Sequence, residues 1–492
     1  MKFWIILVFF LFVTLRISAL LTIPPIFDEM VQLYMARDIA QGIRFPLYFD
    51  GQQYMGPLES YVLAPFIRLF GFSLIKGRIF NELFFITFVV LFLREVRRLF
   101  DRETAFYLYA LLSILPFTAL FFTTIVGYGE VLTLAAISLV FLMKVFRDPK
   151  PAGAALGLGV VSALALWANS IFFLWLIPIA LSLLGLVPST WKKKVPLWFA
   201  VGFLVGFFPV WIHGFQTGTF LSVQAAGARL TKLENVPLIF FLFFARLRFF
   251  LSTYSFGPDP TFLRQAILVA SFFPLTLFLF SAANLASFFL KSYRERTSVE
   301  RAFYLFILLP VIILGIFYCH RDLKEDEGMR YFIPLVMPFA FVIAWQIRSL
   351  GSSFWKGAVL TSLAAILFVG SVESFKIQHF RTQELRDIFH FLDEKELRYG
   401  MSVNDPGYAL NALGEEKILV TPFLLNARNR AIWEKVKEKG PQFFILEFTD
   451  PIFRNRLEKD PLITKKSFVR YEVFYGSSKL FEEILNTKQT HL

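Results

Sequence analysis

The chain has 492 residues, of which 56% are hydrophobic and 64 are phenylalanine, and its mean hydropathy is +0.60. A water-soluble protein of this length carries more charge and shorter apolar runs, so the composition excludes that class. The net charge is +13 at pH 7, and the single cysteine, Cys319, excludes an internal disulfide and a cysteine metal cluster.

Several apolar runs approach or exceed 18 residues, which is long enough for a helix to cross a bilayer. The first run, residues 3–23, follows Lys2, lacks a small-x-small cleavage site and ends at Pro24-Pro25. We therefore interpret it as a retained span and not as a signal peptide. The basic residues cluster in short loops between the runs, which is typical of membrane orientation and not of nucleic-acid binding.

Placing these basic loops in the cytoplasm predicts about eleven membrane helices and a cytoplasmic N-terminus. The predicted spans are 3–23, 74–93, 104–122, 130–146, 152–168, 170–188, 195–215, 263–290, 301–319, 331–347 and 357–373.

Beyond about residue 376 the composition becomes that of a soluble domain. Helix-like segments (383–397 and 430–439) alternate there with strand-like ones (418–421, 443–448 and 468–474). The expected fold class is therefore an all-α polytopic membrane module, residues 1–375, followed by a small α/β domain, residues 376–492, on the outer side.

Residues 24–73 form a long loop on the predicted outer side, and it begins with Asp28-Glu29. A short helix is expected from Glu29 to Gln41, ended by Gly42. Asp28 is either a helix N-cap or a reactive carboxylate, and Glu29 is either a solvated first-turn acid or part of the same site. The apolar face expected against lipid consists of Val31, Tyr34, Met35 and Ile39.

The same loop returns further polar residues to this side of the membrane: Asp50, Gln52, Gln53, Tyr54 and Glu59. A connector does not need fifty residues, and long loops in compact proteins are usually functional. A second acid, Glu130, opens a later span after the turn Gly127-Tyr128-Gly129. It is either a partner of the helix dipole or a second functional acid.

In their order, these elements resemble the GT-C superfamily of membrane glycosyltransferases. The likeness is to the branch of protein O-mannosyltransferases and lipid A aminoarabinose transferases. The matching elements are Asp28-Glu29, Arg78, Glu130 and the tail after Lys376. The chain departs from many relatives in having Gly129-Glu130 instead of Pro-Asp, and Met55-Gly56-Pro57-Leu58 instead of His-Pro-Pro-Leu.

The resemblance implies an inverting transferase of the inner membrane that takes a sugar from a polyprenyl phosphate. The acceptor would be an extracytoplasmic glycan, lipid or protein. Asp28 would be the general base, with Glu29 and Glu130 as further catalytic acids. Residues expected to contact substrate are Arg16, Gln52, Gln53, Tyr54, Glu59, Arg78, His320, Arg321, Lys324, Arg330 and Tyr331.

Some alternatives stay open at this point. Arg78 and Arg330 could snorkel to the interface without binding substrate. Arg16, a costly charge within a span, pairs with either Asp28 or Glu82. No metal or other cofactor is expected, the alternative being a Mg²⁺ site built from Asp28, Glu29 and Glu130. For the whole chain, the competing functions are a transporter or lipid flippase and a non-catalytic scaffold.

Overall fold

We analysed a computed structural model of the whole chain. It describes residues 2–52, 55–115, 118, 122–218, 269–270, 272–320, 332–402, 406–414, 416–422, 430–447, 454–455, 457–476 and 481.

Helices make up most of the described structure. They are α1 (Lys2–Thr22), α2 (Phe27–Ala40), α3 (Leu58–Phe70), α4 (Leu74–Leu99), α5 (Arg102–Ile114), α6 (Tyr128–Arg147), α7 (Ala152–Ala168), α8 (Phe173–Gly185), α9 (Lys194–Gly206), α10 (Phe208–Thr217), α11 (Phe272–Ser292), α12 (Ser298–His320), α13 (Val336–Ser349), α14 (Ser353–Glu394), α15 (Pro406–Leu413) and α16 (Arg430–Lys439).

The chain is a multi-pass membrane protein. Within the described ranges, five helical segments are long and apolar enough to cross a membrane: 128–147, 272–295, 298–315, 332–349 and 353–394. Two bent pairs raise the number to seven if each is one span: α1 with α2, bent by 86°, and α9 with α10, bent by 53°. The positions of the predicted helices are largely confirmed, whereas the total of about eleven spans stays a prediction.

Small residues allow close helix packing within the bundle. A Cβ added to Gly159 of α7 would lie 2.1 Å from the Phe199 carbonyl oxygen of α9, and one added to Gly202 would lie 2.1 Å from the Leu156 carbonyl oxygen. Membrane helices gain stability through such backbone approach, because lipid supplies no hydrophobic force between them. Only glycine fits at these two positions.

The bundle has two ends of different chemistry. The first turns of α2, α4 and α6 carry Asp28, Arg78 and Glu130, and we call this the Asp28 end. The last turns of α4 and α6 carry several arginines and lysines, and we call this the basic end. The excess of basic residues thus lies at the end opposite Asp28.

The C-terminal part forms a five-stranded sheet in the order β2-β1-β3-β5-β4. Strands β1 (Tyr399–Ser402), β2 (Leu419–Pro422) and β3 (Phe443–Glu447) run parallel. Strands β4 (Thr464–Ser467) and β5 (Tyr471–Tyr475) are antiparallel to their neighbours. The predicted helix 430–439 is confirmed as α16, whereas β1 and β4 were not predicted.

The segment predicted as a separate helix, 383–397, is the end of α14, which runs unbroken for 42 residues from 353 to 394. Its Thr382 Oγ1 donates a hydrogen bond to the Thr22 carbonyl oxygen at the end of α1, 2.8 Å away. The sheet that follows α14 therefore lies at the Asp28 end.

Helix α2 is covered by protein, and the prediction that its apolar face lies against lipid is wrong. Val31, Tyr34 and Met35 are buried in one cluster with Tyr408 and with residues of β2 and α16. Ile39 is half-buried. The apolar residues of α2 do form a surface that is buried, but it is covered by the C-terminal domain and not by lipid.

Candidate active site

The chain turns sharply where α1 ends and α2 begins, and this corner places Asp28. Pro24-Pro25 stop α1, and the helix axis bends by 86° into α2. Ile26 is the N-cap residue of α2, and its backbone N–H donates to Glu29 Oε2, 3.3 Å away. Asp28 lies in the first turn and is partly exposed, between the buried Phe27 and Glu29.

Glu29 and Arg78 form a buried ion pair that joins α2 to α4. Arg78 Nε donates to Glu29 Oε1 at 2.8 Å, and Arg78 Nη2 donates to Oε2 at 2.6 Å. The guanidinium also donates to the Ile23 carbonyl at 2.8 Å and to the Pro24 carbonyl at 3.2 Å. Both side chains are at most 2% exposed. The pair fixes the corner on which Asp28 stands.

The segment that leads into α6 is held by three other helices. Glu29 Oε1 accepts the Ile125 backbone N–H at 3.2 Å, and Glu59 Oε2 of α3 accepts that of Gly127 at 2.6 Å. The Asn81 side chain of α4 donates to the carbonyls of Phe122 and Thr124, at 3.0 and 2.9 Å. The start of α6, and with it Glu130, is therefore placed by polar contacts.

Glu130 lies in a buried polar pocket at the Asp28 end. Neither of its oxygens accepts a hydrogen bond of normal geometry from a described residue, although the Glu59 backbone N–H is in electrostatic contact. Gly127 has φ +78°, and a Cβ on it would lie 3.6 Å from Glu130 Oε1 and 4.0 Å from Gln32 Nε2. The positive φ favours glycine at this turn, because other residues rarely adopt it.

Glu59 is the second buried acid of this pocket. It is fully buried, and burial raises the pKa of its carboxyl to about 8. The nearby Glu29 carboxylate also raises this pKa, while the Gly127 N–H opposes the shift. Burial in this pocket therefore favours the protonated form of Glu59.

Arg16 pairs with Glu82 of α4, which settles the alternative left open by the sequence. Arg16 Nη1 lies 3.2 Å from Glu82 Oε2 and 2.8 Å from the Thr118 carbonyl oxygen. Its guanidinium also lies 3.9 Å from the ring centroid of Phe85. The structure thus places Arg16 within a buried network and not beside Asp28.

Leu47 and Gly56 pack on the end of α7. The Gly56 N–H donates to the Trp167 carbonyl at 2.8 Å, and Trp167 Nε1 donates to the Leu47 carbonyl at 2.9 Å. A Cβ on Gly56 would lie 2.4 Å from the indole, so glycine is required there. Gln52 is partly buried in the turn between Leu47 and Gly56.

Several predicted substrate contacts lie outside the described residues and stay predictions. They are Gln53, Tyr54, Arg321, Lys324, Arg330, Tyr331 and the side chain of His320. Among the residues that are described, no group of three or more His, Cys, Asp or Glu side chains is arranged to hold a metal ion.

Sequence reasoning missed two buried polar residues of the site, Asn81 and Ser60, and did not place Gln32 in its interior. Gln32 and Ser60 are fully buried and hydrogen-bonded to each other. A polar side chain inside an apolar helix was the available signal for Asn81, because such residues seldom face lipid. No local pattern identified Gln32 or Ser60, whose contact joins α2 to α3.

Residues 55–213 match the family model of dolichyl-phosphate-mannose-protein mannosyltransferases. No curated protein matches the chain significantly in sequence.

Among solved structures, ArnT from Cupriavidus metallidurans is similar over nearly its whole length. In the apo state it has a TM-score of 0.61 and 11% identity, with 98% of this chain and 99% of ArnT covered. ArnT bound to undecaprenyl phosphate matches with a TM-score of 0.61 and 12% identity, over 97% of this chain and 98% of ArnT. The arabinofuranosyltransferase AftD from Mycobacteria matches with a TM-score of 0.50 and 14% identity, over 97% of this chain but 40% of AftD.

At these identities the structural matches establish a shared fold, and the family model adds a match in sequence over residues 55–213. The resemblance drawn from the sequence is thereby confirmed: residues 55–213 match the protein mannosyltransferase family model, and the chain shares the fold of ArnT over nearly its whole length.

Proposed function

We propose that this protein is a membrane glycosyltransferase. It would transfer a sugar from a polyprenyl-phosphate donor to an acceptor at the Asp28 end, with Asp28 as general base. The observation that carries the assignment is the placement of Asp28: a partly exposed acid on a corner fixed by the buried Glu29–Arg78 pair. The family match supports the class of reaction, and ArnT bound to undecaprenyl phosphate supports the class of donor.

Of the three acids predicted to be catalytic, Asp28 is best suited to take a proton from an acceptor. Glu29 uses both carboxylate oxygens in contacts with Arg78, Ile26 and Ile125. Glu130 is fully buried behind the Gly127 turn. We therefore assign Glu29 a positioning role and Glu130 a role in shaping the polar interior of the site.

In the proposed reaction, the acceptor oxygen or nitrogen attacks the anomeric carbon of the donor. Asp28 accepts the proton of the attacking group while the bond to the phosphate oxygen breaks. The electron pair of that bond leaves with the polyprenyl phosphate. Attack opposite the leaving group inverts the anomeric configuration through an oxocarbenium-like state.

Cations beside the leaving phosphate would lower the barrier, because they stabilise charge that develops in the transition state. Arg78 is committed to Glu29 and the chain corner, so we assign it to positioning. Arg321, Lys324 and Arg330, predicted on the same side, are the candidates for this electrostatic role, with His320 and Tyr331 beside them. We propose that the reaction needs no metal or other cofactor.

The test is a comparison of Asp28→Asn with the parent in transfer from polyprenyl-phosphate sugars, measured in detergent with and without EDTA. Loss of a general base predicts a fall of about 10²- to 10⁴-fold in transfer, with unchanged donor binding and no effect of EDTA.

The matched control is Asp38→Asn. Asp38 lies on the same helix but is paired with Arg44 at 2.8 Å, away from the corner. Equal activity of Asp28→Asn and the parent overturns the base assignment, and loss of activity in EDTA overturns the metal-free reaction. Lipid translocation without transfer by the parent identifies a flippase instead.

A further inference from the structure

The basic end of the bundle contains a cleft that plays no part in the proposed reaction. Its volume is about 770 Å³, and it lies between the last turns of α4 and α6 and the start of α12. Four cations line it: Arg94, Arg98, Lys144 and Arg147. Because α4 and α6 run from the Asp28 end to this cleft, the two sites lie at opposite ends of the bundle.

A buried carboxylate contacts the three arginines of the cleft. Glu95 is 1% exposed, and Arg147 Nη1 lies 2.6 Å from its Oε2. Arg98 Nη1 lies 3.1 Å from its Oε1, and Arg94 Nε lies 3.8 Å from the same oxygen. A guanidinium has five N–H donors, and each of these contacts involves only one of its nitrogen atoms. The arginines are thus arranged around Glu95 with donors remaining.

The four cations of the cleft outnumber its acids, which are Glu95, Asp148 and Glu300. Asp148 and Glu300 also line it, but Glu300 is bound to Arg296 at 2.9 Å. Lys144 Nζ packs over the Phe141 ring at 5.6 Å, a contact that does not use its N–H groups as hydrogen-bond donors to oxygen. Three arginines and a lysine that converge on one cleft match the charge and hydrogen bonding of a phosphate group.

The cleft also lies where lipid headgroups are found. Helices α6 and α12 are long and apolar enough to cross a membrane, and their ends border the cleft. The general excess of Lys and Arg on one membrane side explains how many cations this end carries. It does not explain why arginines of both α4 and α6 contact one buried glutamate beside the cleft.

We propose that this cleft binds a phosphate-type anion of the kind carried by an acidic membrane-lipid headgroup. The ligand chemistry is a phosphate mono- or diester, which a phospholipid supplies at the membrane surface and which inorganic phosphate supplies in solution.

The test measures binding of short-chain phosphatidylglycerol to the full-length protein in neutral detergent. The variant Arg94→Gln/Lys144→Gln removes two cleft cations and leaves the closer contacts of Glu95 with Arg98 and Arg147 intact. Each cation near an anionic headgroup contributes about 1 kcal/mol, a factor of about five, so the dissociation constant rises about 25-fold.

The matched control is Arg97→Gln/Lys150→Gln, which removes two exposed cations from the same end without touching the cleft lining. It is expected to bind like the parent. Displacement of the lipid by millimolar inorganic phosphate identifies soluble phosphate as a ligand, and binding that resists phosphate identifies the lipid. An equal loss in both variants, or a parent that binds neither probe, overturns the proposal.

Discussion

Arg78 stabilises the Asp28 end through contacts that few other side chains can supply. The Arg78 side chain is only 2% exposed. Its guanidinium donates to both carboxylate oxygens of Glu29 and to the backbone carbonyls of Ile23 and Pro24, just after α1. The planar guanidinium can donate to all of these acceptors at once, whereas the compact ammonium of a lysine cannot match their arrangement. The same residue could also be interpreted from sequence as a snorkelling arginine, and only the contacts distinguish the two.

We expect Arg78→Gln to destabilise the protein by about 3 kcal/mol, because it leaves the Glu29 carboxylate buried without its cation. The double variant Glu29→Gln/Arg78→Gln removes that charge and is expected to be less destabilised than Arg78→Gln alone. Chemical unfolding in detergent measures both. The coupling would be contradicted if the double variant lost as much unfolding free energy as Arg78→Gln and Glu29→Gln lose together, or more.

Glu59 makes stability depend on pH. Its pKa is raised from an ordinary value of 4.5 to about 8 in the folded state. The folded protein therefore holds this proton more tightly than the unfolded chain does. The stabilising contribution is fully present below pH 4.5 and is lost as pH rises through about 8.

We expect Glu59→Gln to be less sensitive to pH than the parent, since the amide keeps an oxygen for the Gly127 N–H but does not ionise. The measurement is the difference in melting temperature between pH 6 and pH 8.5. The control is Glu103→Gln, an exposed acid at the basic end. A parent and Glu59→Gln with the same pH dependence would show that Glu59 does not titrate in this range.

At the scale of elements, α2 is held between the bundle and the C-terminal domain. Phe27, next to Asp28, stacks on Tyr408 of α15 with ring centroids 4.9 Å apart. At the other end of the helix, Arg37 lies 2.6 Å from Glu416. The C-terminal domain therefore braces the helix that carries the proposed base.

If that bracing orients Asp28, Tyr408→Ala lowers kcat about tenfold while the KM for the donor changes little, because small misplacement of a catalytic group is costly. The control is Tyr475→Ala, which removes an aromatic ring that packs on Phe391 inside the C-terminal domain. Equal effects of the two variants on kcat would show that general stability, and not the position of α2, is responsible.

The sequence predicted elements well where the pattern is local. The apolar run 152–168 corresponds to α7, and the segment 430–439 corresponds to α16. Strand β4, in contrast, has the sequence Thr464-Lys465-Lys466-Ser467 and is exposed throughout. It has no hydrophobic alternation to detect, and its existence depends on pairing with β5.

At the scale of the whole molecule, the unpredicted features are contacts between distant segments. Glu29 and Arg78 lie 49 positions apart, and Arg37 and Glu416 lie 379 apart. Glu59, expected to contact substrate, lies in the first turn of α3 and is buried against the Gly127 turn. Residue types and membrane periodicity identified the polar candidates, but a single sequence contains no record of which of them meet.

Helix α14 has a consequence for how the C-terminal sheet is held. Its 42 residues extend about 63 Å at 1.5 Å per residue, roughly twice the 30 Å of a bilayer's hydrocarbon core. Because the helix is unbroken from 353 to 394, the segment that leads to the C-terminal sheet has no hinge at the membrane surface. The packing of β2, α15 and α16 on α2 and the contact of Thr382 with Thr22 hold the sheet in one position over the Asp28 end.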